Sequence, residues 1–404
     1  MTTATEFGEA RPRLLYLTQE LPFADDAGHK IRSRQLIEAL VRSFDVTVAG
    51  FIEDGTASSH RLMGCRVIAE RAAVRIRRQP VRLAQAIATA IVRNRPYSLG
   101  KFDNRRLFRT LRADGESASP AIVVANLAMA GYLDAFPRAV RIIDAHNVEA
   151  ALWRDFQAAA PPMARPFVRR EARLLEGVER AAWAGAQGVI AICAEDGRTI
   201  VSEAPDARVL VAPPALARQP PAARGDAQRA DVGMLGVWSW APNEHALETF
   251  AADIAPALRE SGMSMRVTGP GVGASIRRRL ERLGVEVTGA IPDVRDFYAA
   301  VDQVAAPYFQ GGGVRLKVLE AIACEVPLVG SPLAFRGILG REATIGDVAP
   351  DTQGLVRLLL RNRADMAAAR RRAGRLRQAV AAAHDPDRTA EALNGFLSAR
   401  LRGD

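Results

Sequence analysis

Three consecutive glycines, Gly311, Gly312 and Gly313, stand ahead of Val314, Arg315 and Lys317 and an apolar stretch that carries Glu320 (PYFQGGGVRLKVLEAIACE, residues 307–325). Glycine lets the backbone come close to a ligand. A helix that starts behind such a loop offers unpaired N–H groups and the positive end of its dipole. Two cations at its mouth suit a phosphate or diphosphate. The competing interpretation is a flexible loop before an ordinary amphipathic helix whose basic residues face solvent. A second group, Asp144, His146, Asn147 and Glu149 in IIDAHNVEAALW, follows a strand-like run. Strand ends are where α/β proteins hold ligands; the alternative there is a helix N-cap, Asp144 or Asn147, with an incidental histidine. His29, behind Gly28 in the first loop, fits a site or a solvated loop equally well.

A third pattern needs weighing. Gly269, Gly271 and Ala274 have the G-x-G-x-x-A spacing of a dinucleotide fingerprint, and Glu286 follows on the next strand-like run. Arg315 and Lys317, the best diphosphate-binding cations, lie elsewhere, so a tight turn with some nucleotide contact is preferred over NAD. No Ser-His-Asp order, HExxH or Cys/His metal set can be assembled.

These residues need a scaffold, and the bulk composition allows one. The 404 residues suffice for two domains, and 49% hydrophobic with 25% charged residues is the balance of a folded protein. The net charge of +10, almost all of it from arginine, attracts anions in general. Nucleic acid is disfavoured as partner, since no basic tail occurs and aromatics are only 6%. Cys65, Cys193 and Cys324 lack metal or redox spacing, which predicts a reducing, cytoplasmic setting. The polar start is no signal peptide, and no apolar run is long enough to span a membrane.

Short apolar runs alternate with helical patterns throughout. Arg13–Thr18, Phe44–Phe51, Ala121–Asn126, Val140–Asp144, Gly188–Cys193 and Val209–Val211 read as buried strands. Helices are expected over Ile31–Ser43 and Arg165–Trp183, and an arginine-rich helix pair interrupted by Pro80 over Arg71–Arg95. The proline-rich stretch 213–227 reads as a linker. Beyond it, strands at Asp231–Val237, Met265–Thr268, Val285–Thr288, Gln303–Ala306 and Val326–Gly330 alternate with helices at Asn243–Ser261, Ser275–Leu283 and Val294–Ala300. Helix is expected throughout Thr352–Ala383 and again over Arg388–Arg402. The class is α/β with parallel sheets. Its parts are residues 1–212, a linker 213–227, 228–384 and a terminal helix 385–404. The arginine-rich stretches read as solvated faces or, with Val74, Ile76, Val81, Leu83 and Ile87 among the cations, as contacts with an anionic membrane surface.

Five stretches in order resemble the family-four retaining glycosyltransferases of bacteria: YLTQELPFADDAGHKIRSRQL, IIDAHNVEAALW, GMLGVWSWAPNEHALETF, VEVTGAIPDVRDFYAAVDQVAAPY and GGGVRLKVLEAIACEVPLV. The resemblance implies two Rossmann-like domains facing a central cleft (the GT-B architecture), with the last helix crossing back to the first domain. It implies a retaining, metal-independent hexosyltransferase of polysaccharide or glycoconjugate biosynthesis, cytoplasmic or peripheral at the inner membrane face. Its partners would be a nucleotide-sugar donor as co-substrate, without further cofactor, and a glycan or lipid-linked acceptor. Arg315 and Lys317 would bind the donor diphosphate, Glu320 the ribose hydroxyls and His146 the region of the transferred sugar. Gly28 would let backbone N–H groups approach the donor phosphate, and Pro292 and Asp293 would lie near the base. The chain departs from the family pattern at Gly312, where the first acid of E-x7-E would stand, and at Ala27, where a second loop glycine is common. The rival to an enzyme is a catalytically silent relative that binds or scaffolds.

Overall fold

The computed structural model describes residues 11–24, 27–53, 59–72, 80–117, 119–217, 229–339 and 346–404. The chain divides into two compact units, residues 1–212 joined by 386–404, and residues 213–385.

In the first unit, β1 (Arg13–Thr18), β2 (Asp45–Ile52), β3 (Arg61–Leu62), β4 (Cys65–Arg71), β5 (Ile122–Asn126), β6 (Val140–Ala145), β7 (Gly188–Ala191) and β8 (Val209–Val211) form one sheet in the order β3-β4-β2-β1-β5-β6-β7-β8. All pairs are parallel except β3 with β4. A parallel sheet buried on both faces needs near-continuous apolar strands. The run Leu14-Leu15-Tyr16-Leu17 meets that need: Leu15 and Leu17 pack into one core with Phe51, Val123 and Ile143, while Leu14 and Tyr16 pack into the other with Leu36, Val48 and Ile142. That second core also takes Ala390, Leu393 and Leu397 from the helix Pro386–Arg402. The same helix lays Phe396 over Gly188, where an added Cβ would sit 2.7 Å from the ring. Asn394 Nδ2 donates to the Ala39 carbonyl at 3.0 Å, at the end of the helix Gly28–Leu40.

In the second unit, β9 (Ala230–Leu235), β10 (Met265–Thr268), β11 (Val285–Val287), β12 (Val301–Ala306), β13 (Leu328–Gly330) and β14 (Asp347–Val348) pair in the order β11-β10-β9-β12-β13-β14, all parallel. This is the doubly wound order, with the strand direction of travel reversing between β9 and β12. The reversal in the first sheet lies between β1 and β5.

The structure corrects several sequence-derived elements. Arg71 ends β4, and the described part of the Arg71–Arg95 stretch is a helix, Pro80–Val92, with Pro80 at its start rather than interrupting it. Val74 and Ile76 lie outside the described residues, as does the linker from residue 218 onward. The expected helix Asn243–Ser261 contains a π-helical turn, Phe250–Ile254, ahead of Pro256, whose missing N–H breaks the regular ladder. Thr352–Ala383 is two helices, Thr352–Ala364 and Met366–Ala381; Asp365 leaves the helical region and accepts from the Ala368 N–H at 2.9 Å. The strands β3, β4 and β14 and the helix Arg105–Ser117 were not anticipated, and the helix Glu149–Ala159 starts after Val148 rather than from a cap at Asp144 or Asn147. Among the described residues no helix is long and apolar enough to cross a membrane.

Candidate active site

The glycine loop leaves the end of β12 beside the strand reversal of the second sheet. Gly311 and Gly313 have φ of +95° and +76°, a region closed to most side chains. At Gly311 a Cβ would also lie 2.9 Å from Pro242 and 3.0 Å from the Arg315 guanidinium. What shapes the loop is Arg315. Its side chain folds back, so that the residue is only 5% exposed. Nη1 donates to the Gly312 carbonyl at 2.7 Å, and Nη2 donates to those of Gln310 and Gly311 at 3.0 Å each. The guanidinium lies 4.9 Å from the Tyr308 ring centroid and 5.6 Å from that of Trp240. Sequence spacing put Arg315 beside Lys317 at the mouth of the loop. The structure instead places it inside, as the group that holds the loop carbonyls.

Lys317 is the cation left facing outward. It lies in the first turn of the helix Leu316–Ala323, and its Nζ is 3.0 and 3.2 Å from the two carboxylate oxygens of Glu320. Both side chains are partly exposed, at 29% and 21%. The buried Tyr298 lies under this pair, its hydroxyl within 2.9 Å of the Lys317 carbonyl and 3.2 Å of Glu320 Oε2. Burial first and then the neighbouring Glu320 push the Tyr298 hydroxyl well above its ordinary value, so it remains a donor. Val314 packs against the core of the unit. Asp293 caps the helix Val294–Ala299, accepting from the Arg295 N–H at 2.8 Å, and pairs with the Arg295 guanidinium. That arginine lowers the Asp293 carboxyl. Pro292 precedes it in the same turn.

The fingerprint-like glycines have a different occupation. Gly269 and Gly271 take φ of +119° and +91°, and a Cβ on Gly269 would lie 1.9 Å from the Gly236 carbonyl oxygen. The loops after β9 and β10 interlock there: Trp238 N donates to the Pro270 carbonyl at 2.9 Å, and its indole Nε1 to Thr268 at 3.1 Å. Glu286 is paired with Arg266 at 2.7 Å. Backbone packing accounts for this spacing.

In the first unit the polar residues gather at the ends of β1 and β6. Asp144 is wholly buried, and its Oδ2 meets His146 Nε2 and the Tyr16 hydroxyl, each at 2.8 Å. Arg32, 2% exposed, brings Nη2 within 3.7 Å of Oδ1. Burial alone would raise the Asp144 carboxyl, but His146, Arg32 and Tyr16 together leave it below its ordinary value. Thr18 and Ser33, both buried, hydrogen-bond each other at 3.2 Å beside this group. Glu20 takes Lys30 at 2.9 Å and His29 at 3.6 Å. Burial lowers the His29 imidazole; Glu20, although buried, is held down by His29 and Lys30. Gly28 is the first residue of the helix Gly28–Leu40. Glu149 opens the helix Glu149–Ala159, whose N–H groups at Glu149 and Ala150 are capped by the buried Glu179 at 2.5 and 3.0 Å. Tyr16, Arg32, Tyr298, Tyr308 and Trp240 were not singled out from sequence. All five sit within the resembling stretches, and an aromatic or cation flanking a motif was the available signal. Among the described residues no group of three or more His, Cys, Asp or Glu side chains is placed to hold a metal ion.

Residues 229–365 match the family model for glycosyl transferases group 1. The second unit carries a group 1 glycosyl transferase domain. Its matched stretch contains Asp293, the glycine loop, Arg315, Lys317 and Glu320, whereas Gly28 and His146 lie outside it. The chain as a whole has the GT-B glycosyltransferase fold. It is similar to WaaG, a glycosyltransferase involved in lipopolysaccharide biosynthesis, with a TM-score of 0.66 at 15% identity over 95% of this chain and 99% of that one. Anabaena HepE in complex with UDP and glucose gives 0.65 at 13%, over 96% and 100%. TarM gives 0.67 at 8%, over 96% and 98%. No curated protein matches the chain in sequence.

Proposed function

We propose that this chain moves a hexose from a nucleoside-diphosphate sugar to a hydroxyl of a glycan or lipid-linked glycan, with retention at the anomeric carbon. The observation that carries this is the outward-facing Lys317, paired with Glu320 behind a glycine arch, inside the group 1 domain. The reaction breaks a sugar–diphosphate bond, so negative charge grows on the leaving diphosphate. Preorganised positive groups stabilise that transition state most. Lys317 and the N–H groups at the start of Leu316–Ala323 supply them without a metal ion, while Arg315 keeps the loop in the shape that receives the phosphates. Glu320, held by Tyr298, takes the ribose hydroxyls, and the turn at Pro292 and Asp293 lies toward the base. In the first unit, His146 and Gly28 are the residues proposed to meet substrate. HepE and another similar structure were solved with UDP, which supports a uridine donor as the first to try.

The test is a panel of nucleoside-diphosphate sugars scored by release of free nucleoside diphosphate, with chelator present and absent. Release from a donor, abolished in Lys317→Ala, is expected; an unchanged rate in that variant would overturn the assignment. Nuclear magnetic resonance of the product's anomeric proton reads retention. One observation favours a silent binding protein instead: Gly312 occupies the place of the family's first acid, and its carbonyl is taken by Arg315. Tight donor binding by calorimetry with no turnover would select that reading.

The site of action we propose is the cytoplasm, at an anionic membrane surface. The helix Pro80–Val92 exposes Val81, Ile91 and Val92 by 69%, 54% and 85%, next to the exposed Arg93 and Arg95. Apolar residues beside cations are what such a surface binds. Co-sedimentation with anionic vesicles that weakens with salt is expected; no binding at low salt would end the idea.

A further inference from the structure

His146 is held by only one of its ring nitrogens. Nε2 lies 2.8 Å from Asp144 Oδ2, and among the described residues Nδ1 has no hydrogen-bond partner. The other groups around Asp144 decide what that contact is. The carboxylate is wholly buried, already accepts the Tyr16 hydroxyl on the same oxygen, and has the Arg32 guanidinium 3.7 Å from the other. Tyr16 and Arg32 are themselves 1% and 2% exposed, on β1 and the helix Gly28–Leu40. A buried carboxylate with a cation and a hydroxyl donor against it stays ionised, and an ionised carboxylate only accepts. Nε2 must therefore carry a proton. In a neutral imidazole the hydrogen bond made by one nitrogen fixes the role of the other.

We propose that Asp144 is a positioning residue which, backed by Tyr16 and Arg32, holds His146 as the Nε2–H tautomer and so presents the Nδ1 lone pair as an acceptor for a substrate hydroxyl. The end of β6 brings this about: Asp144 is its last residue but one and is wholly buried, and His146, just past the strand, reaches back to it while its side chain remains 11% exposed. The ligand class is a sugar, either the transferred hexose or the acceptor glycan, since a lone pair on a fixed ring selects O–H donors. The neighbouring carboxylates, Asp144 and Glu20, already hold the cations Arg32 and Lys30. This inference rests on the glycosyl-transfer reading only for the identity of the hydroxyl.

Two measurements keep the parts separate. The first is nitrogen-15 resonance of histidine-labelled, ligand-free protein, which reports the tautomer of His146 without any turnover. A protonated Nε2 and an unprotonated Nδ1 are expected in the neutral ring; a protonated Nδ1 with bare Nε2 would overturn the proposal. The second is steady-state kinetics of Asp144→Asn and Tyr16→Phe. An asparagine amide can turn its NH₂ toward Nε2 and drive the proton to Nδ1. In Asp144→Asn, kcat is expected to fall by ~10-fold or more, with the donor KM moving far less. Tyr16→Phe keeps the carboxylate and is expected to lose less. Should Asp144→Asn fail to fold, the wild-type tautomer and the Tyr16→Phe split still decide. Wild-type kcat in both variants would overturn the positioning role. Loss of the tautomer with turnover intact would likewise refute it, whereas failure of every donor to react would remove the glycosyl-transfer reading and leave the tautomer result standing.

Discussion

In the second unit a buried cation, Arg315, grips three backbone carbonyls; in the first a buried anion, Asp144, meets the side chains of His146, Tyr16 and Arg32. Both sit where strands end, and in both the charged group that a motif search would favour is turned away from solvent. The group exposed to a ligand is its neighbour: Lys317 two residues after Arg315, His146 two residues after Asp144. The pairs differ in what is being shaped. Arg315 fixes a run of backbone, so its planar five-donor fork matters more than its charge. Asp144 fixes a ring, so its charge, which decides a tautomer, matters more than its shape.

The comparison can be broken most readily at Lys317. Lys317→Ala is expected to lower turnover by roughly 10²–10³-fold, the scale of losing one transition-state donor. Folding is expected to survive, because an exposed pair such as Lys317–Glu320 contributes about 0–1 kcal/mol. Arg315→Ala is expected to behave oppositely in the same assays. Its three carbonyls lose their donors inside the protein, so a loss of about 2–4 kcal/mol in urea unfolding should accompany a raised donor KM. Arg315→Lys, which keeps charge without the fork, should restore little of either. A variant at Arg315 that lost turnover with full stability would erase the contrast between the two residues.

Trp240 sharpens the same point at smaller scale. It is 42% exposed and caps the guanidinium on its solvent side, so Trp240→Ala should cost about 0.5–1 kcal/mol and a few-fold in donor KM. In the first unit the contrast is with pH. Asp144 lies below its ordinary value of 3.8, so its stabilisation is complete above that range and is lost as the pH falls through and below it. Acid unfolding of Asp144→Asn should therefore lack part of the wild-type dependence below about pH 4. The smallest effect is expected at Glu286, an exposed partner of Arg266. Glu286→Ala should leave donor kinetics unchanged and shift stability within about 0.5 kcal/mol.

The two regions were unequally legible in the sequence. The glycine loop, Lys317 and Glu320 fall in one run of ten residues, and local chemistry alone suggested an anion site there. Even so, spacing misplaced Arg315, because nothing in a linear sequence says whether a long side chain continues outward or folds back under its own loop. In the first unit Tyr16 and Asp144 are 128 residues apart and meet only when β1, β5 and β6 align. The sequence marked His146 by its strand end and could not reveal what stands behind it. Sheet class was readable from runs such as Leu14–Leu17, since burial on both faces demands continuous apolarity. The short strands β3 and β14 carry two residues each, too few for any periodicity, and β4 (CRVIAER) alternates with arginine and glutamate on a sheet margin.

The helix Pro386–Arg402 belongs to the first unit although the whole second unit precedes it in the chain. On the ribosome, residues 213–385 emerge as an uninterrupted segment and can close their sheet early. The first sheet meanwhile waits with the ground for Ala390, Leu393 and Leu397 uncovered beside Leu14 and Leu36. Birth order thus runs against sequence order: the later-made unit is the one able to finish first. A chain cut before residue 386 would hold every residue of the second unit attached to a first unit that lacks the cover for Leu14 and Leu36.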